Sequence, residues 1–423
     1  MFVQIHMLQS VPPGNVNRDD TGQPKKCLFG GVTRGRISSQ CLKRNIRHSI
    51  QFKEAFGEDL ASRTEYLPQM VADELKDAKF EVPQDELEEI MKAITGKFSR
   101  SEPRSGTDDD GDETDGQVSA QSKSSGTDRS GRTPQLVFFP PPFAGRIAGL
   151  IGAFRASSPE AYKKFIGQRN KATKDDDAAT RRFINSINLA SRKLTVDIAL
   201  FGRMTTSDLV ENVEAATQVA HAISTHEVII ESDYFTAMDD KRSDYASTQM
   251  GATGAAFLGS GDTETFFNSA VYYKYLNLDL DAVGRHLPSL SPEQVTATAG
   301  VLVSAATLTH PTGKQNSFAN ATFPELVLVE TSRTKRPVSY ANAFLQAVEG
   351  GATRNLMAES ANALGRYVDE VAIAFSPSDV TRVLLSVGAA SITLQVDHQR
   401  VKSLDELVRT VGLMCIPEKV ATP

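Results

Sequence analysis

The sequence predicts an α+β fold, and three observations carry that expectation. Runs with strand character recur along the whole chain: residues 2–8 (FVQIHML), 195–204 (TVDIALFGRM), 271–280 (VYYKYLNLDL) and 325–330 (ELVLVE). Segments of helical spacing lie between them, an interleaving that suits a sheet with helices packed on one face. Finally, 423 residues that are 40% apolar are enough to bury a sizeable core and more than one domain.

The elements follow in chain order. After the first strand, Ser38 or Ser39 caps a helix expected to run to about Phe52, with Leu42, Ile46 and Ile50 facing a core. Lys43 and Arg47 make an i, i+4 basic pair on the other side, with Arg44 and His48 beside them. Residues 66–98 read as helical. Residues 99–133 hold almost no apolar side chain and carry an acidic run from Asp108 to Asp115, so they are expected to be a disordered insertion. Pro140, Pro141 and Pro142 then forbid a regular helix.

Val196, Ile198 and Leu200 alternate like a strand until Gly202. Ser291 and Gln294 form a capping box with Pro292 in the first turn, followed by Val295, Ala299, Leu302 and Ala306 at helical spacing. Residues 339–349 are expected to be a helix closed by Gly350 and Gly351. Ser403 and Glu406 cap a last helix ending at Gly412.

Charge is the most informative signal for function. The chain carries a net charge of −6, yet residues 17–47 hold eight cations against Asp19 and Asp20, a local +6. Those cations are Arg18, Lys25, Lys26, Arg34, Arg36, Lys43, Arg44 and Arg47. Gly30, Gly31 and Gly35 let a backbone approach closely, and Ser38, Ser39 and Gln40 add neutral hydrogen-bonding groups. Such an island in an acidic chain fits a sugar–phosphate partner, with the helix N-terminus as a phosphate site. Residues 155–193 are again basic, at +6, and densest at Lys163, Lys164, Arg169, Lys171 and Lys174.

Other chemistries find little support. Cys27, Cys41 and Cys415 lack CxxC spacing and read as reduced thiols. His221, His226 and His310 are scattered and read as structural, so no metal or other cofactor is expected. TGKQN at 312–316 lacks the residues of a phosphate loop, which leaves Lys314 as a lone phosphate contact. No apolar run is long enough to span a membrane and no signal peptide is read, so a cytoplasmic protein is expected.

The order NRDD…FGG…RISSQCLKR, followed by VDIALFGRMTTS (196–207), AHAISTHEV (220–228), DYFTAMDD (233–240), GKQNSFA (313–319) and SYANAFLQAV (339–348), resembles the CasC family. That family is the backbone subunit of the type I-E CRISPR surveillance complex, Cascade. The resemblance spans nearly the whole chain and departs from the family between residues 60 and 190.

It implies a modified RRM, ferredoxin-like palm, although the RRM aromatic signature is absent. The palm would comprise residues 1–60, 194–226 and 266–423, with helical fingers at 61–193 and a protruding hairpin-like thumb at 227–265. It implies a non-catalytic scaffold that polymerises along CRISPR guide RNA and preorders the spacer for pairing with target DNA. Its partners would be neighbouring copies, other Cascade subunits and a recruited nuclease-helicase. RNA contacts are expected from Asn17, Arg18, Lys25, Arg34, Arg36, Ser38, Gln40, Lys43, Arg44, Arg47 and Lys314. Met204 and Phe235 would wedge beside a displaced base, and the 163–174 cations would track DNA. The rivals are an RNA endonuclease using Asp239 or Asp240, and a general single-stranded RNA binder.

Overall fold

The computed structural model describes residues 1–77, 82–97, 132–133, 136–167, 178–205, 207, 209–234, 237–238, 255–256, 264–351, 353–376 and 379–416. Phe235, Asp239, Asp240, Arg169, Lys171, Lys174 and residues 99–131 of the expected insertion lie outside these. The last two residues of that insertion do not fit the expectation: Thr133 is buried, and its amide donates to the Glu65 carbonyl at 2.7 Å.

The chain divides into two compact units. The first comprises residues 1–49, 219–277 and 296–423. Its mixed sheet runs, strand beside strand, Gln399–Val401, Thr381–Ser386, Leu326–Ser332, Phe2–Gly14, Glu264–Asp279, Ala222–Ser224, Val32–Ile37 and Lys26–Phe29. Phe2–Gly14 pairs antiparallel with Leu326–Ser332 in the register Phe2↔Ser332 to Leu8↔Leu326.

Both of these central strands are buried along almost their whole length. Period-two alternation therefore sends apolar side chains to both faces, and helices cover both, not the one face expected. Leu8, Leu326, Leu328 and Leu384 meet Ala361, Leu364 and Val368 of helix Leu356–Phe375 on one side. Helix Leu404–Cys415 packs on strands Leu326–Ser332 and Thr381–Ser386 and touches helix Pro292–Leu308, where a Cβ on Gly300 would stand 3.0 Å from Val408 Cγ1.

A polar knot ties this sheet. Glu330 accepts from Arg382 Nε at 2.7 Å and from the Tyr340 hydroxyl at 3.0 Å, and His6 stacks on Tyr340. Burial works against the Glu330 carboxylate, but His6, Arg382 and Tyr340 outweigh it and hold its pKa below the usual range.

Glu231–Tyr234 pairs antiparallel with the start of Glu264–Asp279, and Ala237–Met238 pairs antiparallel with Ala255–Ala256.

The second unit comprises residues 50–218 and 278–295. Helices Leu67–Asp77, Gln84–Lys97, Phe143–Ser157, Pro159–Gly167 and Ala178–Ser191 enclose a core that includes Leu75, Ile90, Ile147, Phe154 and Phe183. Helix Phe143–Ser157 begins directly after the three prolines.

The segment read as a strand at 195–204 is instead the helix Val196–Phe201. Asp197 settles this: its Oδ1 accepts from the Thr195 hydroxyl, the Ile198 amide and the Ala61 amide. Ile198, Ala199, Leu200 and Phe201 are all buried, so the alternation carried no facing information. Gly202 ends the helix at φ +78°.

Residues 339–349 are not one helix either. Only a 3₁₀ turn, Ala341–Phe344, forms, because the Phe344 carbonyl accepts from Arg34 and the Val348 amide donates to Thr225.

Candidate nucleic-acid interface

The basic segment folds as a braced loop, a hairpin and a short helix. Asp19 forms the loop's turn, accepting from Thr21 N, Thr21 Oγ1 and Gln23 N at 2.8–3.0 Å. Buried Asn15 fixes the loop's base, donating to the Gly22 and Phe266 carbonyls at 2.9 and 2.8 Å. The Asn17 carbonyl accepts from the Lys25 amide, and its Oδ1 accepts from the Ser38 amide at 2.8 Å, which clamps the loop to the helix start. Ser38 then caps helix Ser39–Arg47, its Oγ accepting from the Cys41 amide.

Strands Lys26–Phe29 and Val32–Ile37 form a hairpin around Gly30 and Gly31, at φ +63° and +83°. A Cβ on Gly30 would strike the Leu345 carbonyl, so the turn must be glycine there.

The TGKQN loop comes to the same place. A Cβ on Gly313 would lie 2.5 Å from the Val16 carbonyl oxygen and 2.9 Å from that of Asn15, so this loop lies flat on the braced one. Exposed Lys314, at φ +52°, thus joins Asn17 and Arg18 although almost 300 positions separate them in sequence.

The expected residues separate by burial. Arg18 and Arg44 are exposed, and Asn17, Lys25, Arg36, Gln40 and Lys43 are half-buried. Three do not present themselves as expected. Arg34 is fully buried and donates to the carbonyls of Phe29, Ser224 and Phe344, and burial lowers its pKa. Arg47 is buried, so Lys43 and Arg47 do not form the expected surface pair. Ser38 is buried with its oxygen on the cap. The helix also stops at Arg47: a second one, Ile50–Phe56, follows, and Ile50 is 61% exposed instead of in the core.

Behind the helix, a cavity of about 10 Å³, room for one water, is lined by Leu42, Asn45, Ile46, Lys274, Thr309 and His310. Lys274 donates to Gln9 Oε1, and burial drops its pKa to about 8. Sequence reading missed this lysine because it sits in a strand full of tyrosines and leucines. His221, read as structural, stands against Arg36.

In the second unit Met204 is 76% exposed, and Lys163 and Lys164 are exposed on a helix whose Tyr162 and Phe165 are buried. Among the described residues no group of three His, Cys, Asp or Glu could hold a metal ion, and no helix is long and apolar enough to cross a membrane.

These features, a sheet-based unit with a cationic loop–helix surface plus a helical unit, are similar to chains of two solved assemblies. One, titled "CRISPR RNA-guided surveillance complex, pre-nicking", matches at TM-score 0.71 and 25% identity, covering 97% of this chain and 100% of that one. The other, titled "CRISPR RNA-guided surveillance complex", matches at TM-score 0.64 and 21% identity with the same coverage. The family model described as CT1975-like protein matches residues 3–410, and the chain belongs to that family. No curated protein matches it.

Proposed function

We propose that this chain is the guide-RNA-binding backbone subunit of a CRISPR RNA-guided surveillance complex, of the type I-E CasC kind. The observation that carries the reading is the convergence of three cationic pieces on one braced surface. These are the 15–25 loop, the Ser38-capped helix and the Lys314 loop, in a fold that matches a surveillance-complex chain along 97% of its length.

Arg18, Lys25, Gln40, Lys43, Arg44 and Lys314 hold phosphates and sugars of the guide. Asn17 and Ser38 shape the surface from below. Binding is to backbone and shape, while base pairing with target DNA carries sequence specificity. Copies stack head to tail along the RNA, a heterologous contact that builds a helical filament. Met204 and Phe235 flank a displaced base, and the cations near Lys163 and Lys164 follow the DNA. The subunit is a scaffold in the cytoplasm, cutting being left to a recruited nuclease-helicase.

Fluorescence anisotropy with a labelled guide-length RNA across a salt series tests the reading. Lys43→Ala with Arg44→Ala is expected to weaken binding and flatten the log–log salt slope by about 1.4, at about 0.7 per phosphate contact on a single strand. An unchanged slope contradicts it.

A further inference from the structure

Arg36 has an unfinished set of hydrogen bonds. Its strand pairs it with Ile223 of Ala222–Ser224, and that register brings His221, one residue before the partner strand, to its side. Arg36 Nη1 lies 3.0 Å from His221 Nδ1. A guanidinium offers only donors, so this bond requires Nδ1 to be unprotonated and accepting. Among the described residues it is the one side-chain hydrogen bond Arg36 makes, and the Arg36 Nε is buried without a partner.

Arg34, two positions earlier, differs at every point: its guanidinium reaches three carbonyls and is buried. Native structures rarely bury an unpaired donor, so the bonds Arg36 makes within the fold do not account for its position, and its half-buried side chain keeps Nη2 open to a ligand. The planar fork of arginine suits a phosphate, provided something fixes its plane.

We propose that His221 is the positioning residue for Arg36. The neutral imidazole holds the guanidinium through Nη1 and leaves Nη2, which is not buried, to a phosphodiester of single-stranded RNA. This rests on the RNA-binding reading above.

A double-mutant cycle on the full-length chain with labelled guide-length RNA at fixed salt tests it. Arg36→Ala is expected to weaken binding about tenfold, the equivalent of about 1.4 kcal/mol. His221→Ala should weaken it about fourfold, near 0.8 kcal/mol, and add nothing when Arg36 is already alanine. His221→Asn, whose Oδ1 takes the place of the accepting Nδ1, should restore most of the loss, which a merely structural histidine would not show.

Additive losses, or no rescue by asparagine, overturn the role of His221 and leave the RNA reading standing. If Arg36→Ala binds normally while Lys43→Ala with Arg44→Ala does not, Arg36 and this inference leave the interface. If none of these variants loses affinity, the RNA reading itself fails.

Discussion

Arg34 and Arg36 leave the same side of one strand, and burial divides them. Arg34 is bonded to carbonyls 190 and 310 positions away, so it staples three distant segments of the first unit. Replacing it with methionine strands those carbonyls, and a loss of about 3 kcal/mol in denaturant unfolding is expected. The salt slope for RNA should stay unchanged in the fraction that remains folded, which separates Arg34 from Lys43 and Arg44. The sequence shows eight cations in 31 residues but nothing of this division. Charge counting is local, whereas the burial of Arg34 is decided by strands and turns supplied from the middle and the end of the chain. Arg47 misleads for a similar reason: helical spacing places it beside Lys43, but only packing decides which flank of the helix is covered.

Helix starts were legible because their chemistry is local, whereas ends were not: the basic helix stops at Arg47 and the last one runs past Gly412 to Cys415. The Ser291–Gln294 box is reciprocal, with the Ser291 amide donating to Gln294 Oε1 at 2.8 Å and the Gln294 amide to Ser291 Oγ at 3.3 Å. Ser403 caps its helix by accepting from the Glu406 amide. The basic helix depends on Ser38 in the same way, and Ser38→Ala should cost about 1 kcal/mol of stability, read by denaturant unfolding. The segments at 195–204 and 339–349 were misread because contacts a strand or helix pattern does not show, Asp197 with Thr195, Ile198 and distant Ala61 in one and Arg34 in the other, override their local pattern.

The strand behind the basic helix adds a pH signature. Burial lowers Lys274 to about 8, below its ordinary value near 10.5, so between these values the unfolded chain holds the proton that the folded chain has released. Stability from this group therefore rises with pH across that window. Other groups titrate there too, so the measurement is the difference between wild type and Lys274→Met. Wild type should gain on the variant between pH 8 and 10, and a constant difference would contradict a shifted Lys274.

At the scale of the molecule, the fold class was legible and its layering was not. Strand and helix patterns gave α+β, but the continuous burial of Leu326–Ser332 on both faces becomes visible only once helices on each side are assigned. Lys314 shows the same limit for the candidate site: its loop resembles no phosphate motif, and only the contact of Gly313 with Asn15 and Val16 brings it to the basic loop. Residues 99–131 hold almost no apolar side chain and read as a tolerated insertion, so deleting them should leave assembly on RNA intact by size-exclusion chromatography. Loss of assembly would give the segment a structural task. The deletion stops there because Arg132 and Thr133 are tied to Glu65.

The most direct test of the RNA-scaffold account is to express the chain with its neighbouring genes and a CRISPR array, purify through a tag on it, and sequence the RNA that comes with it. The account predicts one repeat-flanked guide of defined length in a large complex. Heterogeneous cellular RNA, or none, would contradict it.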